Sequence, residues 1–155
     1  MKKAILPLSL CALLFTACSK DTGVVSRESL VVGKWKLTTH KITVPQLGRL
    51  GQFDLLDTME TCKRDDLTEF TTEFTLFCNQ GATKCNEADS QRTYRGNWKL
   101  VENDTKMLFT DHPKYGDIMV QLNEISTTTL HLSKDTVLKV AGINFAGTVD
   151  RIYRR

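Results

Sequence analysis

The chain has 155 residues, and its 21 lysines and arginines oppose 18 aspartates and glutamates, which leaves a formal net charge of +3 at pH 7. Lys2 and Lys3 lie in a predicted secretion signal, and without them 19 basic residues oppose 18 acidic ones. Both signs are interspersed apart from the short basic end RIYRR, so the chain lacks the basic face with which nucleic-acid-binding proteins contact phosphates. We predict no nucleic-acid partner.

Residues 1–17 have the pattern of a cleavable secretion signal. Two lysines precede the apolar run AILPLSLCALLF, which is too short for a stable membrane-spanning helix. The run leads into FTAC, which resembles the lipobox of bacterial lipoproteins, where a diacylglycerol is attached to the cysteine and a peptidase cuts before it. The resemblance implies that Cys18 is lipidated. The alternative is an ordinary signal peptide cleaved near TAC, with Cys18 in a disulfide.

Residues 18–29 are predicted to be the lipidated N-terminus and a flexible tether, because SKDTGVVSRES is polar and has no aromatic residue. A single acyl chain binds a bilayer only weakly and reversibly, whereas two or three chains hold a protein there stably. We therefore expect membrane anchoring through a lipidated Cys18. An aspartate directly after the lipidated cysteine would resemble an inner-membrane retention signal, and this chain has Ser19 at that position. The outer membrane is therefore favoured, and the sequence does not decide between its two leaflets. Residues 30–155 are predicted to form one domain.

Most of this domain alternates between apolar and polar residues, which is typical of short strands. The predicted strands have these residues on one face, in chain order: Val31, Gly33, Trp35 and Leu37; Phe70; Phe74, Leu76 and Cys78; Tyr94, Gly96, Trp98 and Leu100; the stretch MLFTDH; Ile118, Val120 and Leu122; the stretch STTTLHL; and Ile143, Phe145, Val149 and Tyr153. The stretch ENDTK predicts a hairpin turn. Segment 45–59 is predicted to be a short helix or long loop, and segment 134–142 stays undecided.

About eight short strands in a domain of this length favour an all-β fold, an eight-stranded antiparallel up-and-down barrel. A β-sandwich is the alternative, because periodicity alone does not separate the two. A barrel of this size encloses either packed side chains or one cavity for a small ligand. The predicted lining of such a cavity is Phe70, Phe74, Leu76, Trp98, Leu100, Ile118, Val120 and Leu122.

Three cysteines remain in the domain, Cys62, Cys78 and Cys85, so one bridge and one free thiol are expected in an oxidising compartment. A turn at 71–73 between LTEF and FTLF would pair residues whose numbers sum to about 144. That register brings Cys62 close to Cys85 and sets Cys78 opposite Asp66. We therefore predict the disulfide Cys62–Cys85. Cys78 is predicted to act as a small hydrophobe. The alternative is a redox or mixed-disulfide site, which requires a depressed thiol pKa.

The stretches VVGKWKL and RGNWKL share a glycine, a spacer and a tryptophan, and contain the two tryptophans of the chain, Trp35 and Trp98. A Gly-x-Trp on the first strand resembles the lipocalin signature. In that family the tryptophan closes one barrel end, and a basic side chain of the last strand stacks on it. The resemblance implies these roles for Gly33, Trp35 and Arg151, and Arg151 shares the inward parity of Tyr153.

More widely, residues 30–153 are similar to the lipocalin-like domain of small bacterial lipoproteins. The resemblance is carried by the lipobox, LVVGKWKL, CKRDDLTEF followed by a cysteine, GNWKL and VQLNEISTTTLHL. The segment TDHPKY departs from the second lipocalin motif, with His112 where a tyrosine is expected, and Cys78 is additional to the cysteine pair of the family. Most members have no established biochemical role, so the resemblance implies a fold rather than a function.

Motifs of catalysis and metal binding are missing from the sequence. Asp65 and Asp66 are adjacent, so on a strand they point to opposite faces, and we expect both to be exposed. His40, His112 and His131 are scattered, without His-x-x-His or Cys-x-x-Cys spacing. Nucleophile-elbow, P-loop and dinucleotide motifs do not occur. We predict a protein that is not an enzyme and has no metal or cofactor.

Two functions are consistent with these features. The first is a lipid-anchored envelope lipoprotein whose lipocalin-like barrel binds a small apolar or amphipathic molecule. The alternative is a structural or protein-interaction lipoprotein with a filled barrel, which meets its partner through its loops, above all segment 45–59. The interior volume separates them, because a cavity of about 300 Å³ or more supports a ligand site.

Overall fold

The computed structural model describes residues 25–155, and a closed antiparallel β-barrel accounts for most of them. The barrel closes through pairing of β1 with β9, and β2 is an extra strand that pairs with β1. In chain order the elements are α1 Arg27–Val31, β1 Gly33–Thr43, a 3-10 helix Pro45–Gly51, β2 Gln52–Asp54, a 3-10 helix Thr61–Lys63, β3 Leu67–Phe70, β4 Thr75–Asn79, β5 Arg92–Val101, β6 Lys106–Thr110, β7 Ile118–Ile125, β8 Thr129–Val140 and β9 Ile143–Arg154. The predicted eight-stranded barrel is confirmed, and the β-sandwich alternative is not.

Two segments without clear periodicity take definite forms. Segment 45–59 contains the 3-10 helix Pro45–Gly51 and strand β2, a strand that the sequence did not predict. Segment 134–142 completes β8 and the turn into β9, where Ala141 and Gly142 have positive φ. Within residues 25–155, none of the helices has the length and apolar character needed to span a membrane.

The folded part begins earlier than the predicted boundary at residue 30. Ser26 caps α1, since its Oγ accepts a hydrogen bond from the Ser29 amide at 3.1 Å, and Val31 at the end of the helix is fully buried. The last residues of the predicted tether 18–29 are therefore helical. The predicted signal 1–17 and the predicted lipidation site Cys18 lie outside the described residues.

The hydrophobic core fills one half of the barrel. Its largest fully buried side chains include Trp35, Trp98, Phe70, Met107 and Leu130, and we call this half the closed end. The rings of Phe70 and Trp98 are perpendicular in an edge-to-face contact, with 5.5 Å between ring centroids. The other half, which contains the β8–β9 turn, is the open end.

Arg155, not the predicted Arg151, stacks on Trp35. Its guanidinium carbon lies 4.0 Å from the ring centroid, and Nη2 donates to the Leu30 carbonyl oxygen at 2.9 Å. Residues 151 and 155 share the same parity, so alternation alone could not choose between them. The register decides, because it pairs Arg151 with His40 in the open half of the barrel.

The two Gly-x-Trp stretches are one packing device used on two strands. Gly33 and Gly96 both have positive φ, 136° and 116°. A Cβ on Gly33 would lie 2.9 Å from Nη2 of Arg155, and one on Gly96 would collide with the Thr110 carbonyl oxygen. Each glycine therefore permits a close approach, and the tryptophan two residues later fills the barrel.

The register of β3 and β4 differs from the predicted one by two residues. Paired numbers sum to 146, so Cys78 faces Thr68 and not Asp66. The reason is that Phe74 belongs to the turn, where it takes a φ of 59°, while the Thr71 amide still donates to the Thr75 carbonyl oxygen.

Candidate functional site

The open half of the barrel contains three adjoining cavities. Their volumes are about 250, 280 and 440 Å³, and Arg151 and Tyr153 are in the wall of each, so we call them together the lumen. The two smaller cavities share an apolar wall formed by Phe109, Tyr115, Ile118 and Val120. The largest, the side cavity, lies under residues 55–66 and is lined by Leu37, His40, Leu55, Thr58, Met59, Lys63, Asp66, Thr68, Cys78, Arg151 and Tyr153.

The eight residues of the predicted cavity lining divide between the two halves of the barrel. Four of the eight residues line the lumen: Phe70, Leu76, Ile118 and Val120. The other four lie in or against the packed closed end: Phe74, Trp98, Leu100 and Leu122. Alternation identified the inner face of each strand, but only the part of a strand that lies in the open half of the barrel reaches the lumen. Trp98 therefore fills the barrel below the lumen and is not part of its wall.

The charged groups of the lumen are predominantly basic. Among the described residues that line it, Lys63, Arg95, Lys134 and Arg151 are cationic and Asp66 is the one carboxylate. Lys63 is already paired with Glu60 at 2.7 Å. Asp66 accepts hydrogen bonds from the Gly81 amide at 3.3 Å and the Cys78 thiol at 3.7 Å.

A β-bulge brings Arg95 into the lumen wall. Between β4 and β5, Leu76 pairs with Gly96 and Phe77 pairs with Tyr94, so Arg95 is an extra residue without a partner on β4. The bulge also moves Tyr94, which was predicted to face inward, to the outer surface, where its ring lies 6.0 Å from that of Phe77.

A second irregularity, at Thr38, turns His40 inward opposite Arg151. Arg151 Nε donates to His40 Nε2 at 3.4 Å. Burial and, next, the charge of Arg151 lower the pKa of His40, so the imidazole is a neutral acceptor at neutral pH. Burial raises the pKa of Tyr153, so its hydroxyl keeps its proton beside Arg151.

Cys78 lies half-buried in the lumen wall. Burial and, next, the nearby charge of Asp66 raise the pKa of its thiol. A thiol that keeps its proton is a poor nucleophile, so the environment fits the predicted small hydrophobe and not a redox site.

Asp65 and Asp66 are half-buried, which corrects the prediction that both are exposed. Each anchors the loop after β4, since the Thr83 amide donates to Asp65 at 3.1 Å and the Gly81 amide donates to Asp66 at 3.3 Å. Both carboxylates therefore have a structural use that spacing alone did not indicate.

The predicted disulfide Cys62–Cys85 is confirmed, with a Cα–Cα distance of 5.1 Å. With Glu60 these cysteines form the one group of three potential metal-binding residues within residues 25–155 whose ligand atoms lie within 4.8 Å of one another. Because both sulfurs are in the bridge, no thiolate is available there.

A wider depression of about 600 Å³ lies outside the lumen, between residues 45–46 and the β8–β9 hairpin. Its lining has no aromatic ring, and its one ionisable side chain is Asp135. It offers a ligand fewer specific contacts than the lumen, which joins an apolar wall to charged groups.

Sequence reasoning missed Arg95, His40 and Lys134 as lumen residues. A glycine inside a strand signals a bulge, so Gly96 was the available signal for Arg95. Lys134 lies in the segment that periodicity left undecided, and nothing in the sequence marks the irregularity beside His40.

Comparisons with known proteins do not assign a family. No protein-family model and no curated protein matches the sequence. The functional assignment therefore depends on the residues of the barrel itself.

Proposed function

We propose that this chain is a lipid-anchored envelope lipoprotein, not an enzyme, whose barrel binds a small amphipathic molecule in the lumen. The observation that carries the proposal is the lumen itself, where an apolar wall of Phe109, Ile118 and Val120 adjoins Arg151 and Tyr153. Binding sites for small molecules combine such a wall with a few polar groups that orient the ligand, in cavities of about 300–1,000 Å³.

The volumes favour a small ligand. A water molecule takes about 30 Å³ in the liquid, and a methylene group is of similar size, so the 250 Å³ cavity has room for about eight non-hydrogen atoms. The adjoining 280 Å³ cavity shares the same apolar wall and adds to this space. Together the two cavities have room for about 17 non-hydrogen atoms, so a ligand with a short alkyl chain or with up to three aromatic rings fits these dimensions.

The position of α1 supports an orientation for the anchored protein. α1 precedes β1, and Trp35 of the closed end donates from Nε1 to the Val31 carbonyl oxygen at 2.7 Å, so the chain enters the barrel at its closed end. An anchor at Cys18 would therefore attach to that end. The open lumen would then face away from the anchoring membrane, and ligands would enter from the surrounding compartment.

Ligand binding is tested by filling the lumen. Ile118→Trp places a large ring in the apolar wall, whereas Met119→Trp places it outside, because neighbouring strand residues point to opposite faces. We expect saturable binding of the fluorescent probe N-phenyl-1-naphthylamine to the parent protein and to Met119→Trp, and about tenfold or greater loss of affinity for Ile118→Trp.

Circular dichroism and thermal unfolding provide the control that both tryptophan variants are folded. Equal affinity of the two variants, or a parent protein that does not bind the probe saturably, would contradict a ligand-binding lumen.

Lipidation is tested by Cys18→Ser in the full chain expressed in a Gram-negative host. We expect loss of incorporated fatty acid and transfer of the protein from the membrane fraction to the soluble fraction. Cys11→Ser is the matched control, since that cysteine belongs to the predicted signal and its replacement should leave anchoring intact. Unchanged processing and fractionation of Cys18→Ser would show that the lipoprotein assignment is wrong.

A second candidate function is protein interaction through the loops of the open end. The observation in its favour is that Leu50 and Phe53, both in segment 45–59, are 84% and 42% exposed. This candidate replaces the first if the parent protein fails to bind N-phenyl-1-naphthylamine.

A further inference from the structure

Arg151 occupies the centre of the lumen. It faces inward from β9 opposite His40, and it borders all three cavities. Although its position on the strand is an inner one, its side chain is exposed, because the barrel beyond Trp98 is open.

Arg151 has no acidic partner. Among residues 25–155, the ion pairs within 4.0 Å involve Lys63, Arg92, Lys106 and His131, and none involves the lumen cations Arg151, Arg95 or Lys134. A cationic side chain beside an apolar wall loses hydration when a ligand displaces water, and this loss is offset best by an anion. The lumen therefore presents positive charge that the protein itself does not neutralise.

We propose that the ligand is a small anionic amphiphile, with a carboxylate or phosphate head group that binds Arg151 and an alkyl or aryl body that lies against Phe109, Ile118 and Val120. This inference rests on the proposed ligand-binding function and adds the chemical class of the ligand. Arg95 borders the 280 Å³ cavity and Lys134 borders the 250 Å³ cavity, so both add to the positive potential around the ligand.

The guanidinium geometry fits this role. Nε of Arg151 is engaged by His40, which fixes the plane of the group and leaves the two Nη atoms for a bidentate contact with two anionic oxygens. Tyr153 lines the same three cavities as Arg151, so it can also contact a head group bound there. A point charge on lysine would lack this bidentate geometry.

Four probes of equal chain length test the proposal, namely octanoate, octyl phosphate, octan-1-ol and octylamine, each in competition with N-phenyl-1-naphthylamine and below its micelle threshold. We expect octanoate, octyl phosphate or both to bind the parent protein about 10- to 100-fold more tightly than octan-1-ol, because hydrogen bonds to charged groups are the stronger ones. We expect octylamine to bind more weakly than octan-1-ol. The relative affinity of the two anions identifies the head group.

The variant Arg151→Met keeps most of the side-chain volume and removes the charge. We expect it to bring the affinity for the anions down to that for octan-1-ol, with the affinity for octan-1-ol unchanged within about twofold. Arg151→Lys is expected to retain part of the preference. The matched control is Lys99→Met, which makes the same change in net charge at an exposed position and should leave all four affinities unchanged.

The outcomes separate the two proposals. Equal affinity for all four probes in the parent protein would overturn the anionic ligand and leave the ligand-binding function in place. Binding of none of them, and of no N-phenyl-1-naphthylamine, would overturn the ligand-binding function itself. The comparison among probes in the parent protein needs no variant, so a misfolded Arg151→Met would not prevent a decision.

Discussion

Replacing Trp35 with alanine is expected to lower the free energy of unfolding by about 3–5 kcal/mol, the range for removing a large aromatic side chain from a core. Trp35 is fully buried and lies beneath the Arg155 guanidinium. A loss of this size is a large part of the stability of a small domain. Urea unfolding followed by circular dichroism measures it.

The matched replacement by phenylalanine separates the roles of the two tryptophans. Nε1 of Trp35 donates to the Val31 carbonyl oxygen at 2.7 Å, whereas Nε1 of Trp98 is buried without a partner among residues 25–155. Trp35→Phe therefore breaks a buried hydrogen bond, and Trp98→Phe removes an unsatisfied donor. We expect Trp35→Phe to be more destabilising, by about 1–3 kcal/mol. A cost for Trp98→Phe equal to or above that of Trp35→Phe would contradict these roles.

Removing the disulfide with Cys62→Ser and Cys85→Ser is expected to lower the free energy of unfolding by about 3.4 kcal/mol, the chain-entropy value for the loop closed by residues 23 apart. The bridge joins residues 55–66, which cover the side cavity, to the loop after β4. Within residues 55–66, Arg64 also donates to the Asp57 carbonyl oxygen at 2.8 Å.

Urea unfolding of this double variant and of Cys78→Ser provides the comparison. Cys78 is the free cysteine of the described residues, so its replacement tests the loss of a thiol without the loss of a bridge, and we expect a cost below about 1 kcal/mol. The stabilising role of the bridge would be refuted if the double variant were no less stable than Cys78→Ser.

Much of the architecture is local information, and local information is readable from one sequence. Alternation over a few residues identified most strands, and the ENDTK turn follows from Asn103 and Asp104, which tolerate the positive φ that both adopt. The disulfide was also predictable, because strand pairing brings its cysteines together even though the predicted register was two residues off.

The residues that line the lumen were harder to predict, because their orientation depends on irregularities in the strands. One extra residue reverses the faces of everything that follows, and this is how Arg95 and His40 come to line the lumen. Arg151 and Arg155 have the same alternation parity, so the sequence pattern led to Arg151 as the cation over Trp35. The strand register places Arg155 there instead.

The division of the barrel into a packed half and an open half is a matter of volume. The inner face of a strand is a property of its sequence, but which inner residues fill space and which surround it depends on the residues opposite them. Trp98 illustrates the point, since it has the same parity as lumen residues and is nevertheless part of the packed core.

The central claim is that an anionic amphiphile binds above Trp98 at Arg151, and an NMR titration of ¹⁵N-labelled protein with octanoate tests it most directly. We expect saturable shifts of the Arg151 Nε–H signal and of the Ile118 and Val120 amides, with the indole N–H signal of Trp35 unchanged. Shifts confined to the outer surface, or no saturable shift at Arg151, would contradict the account.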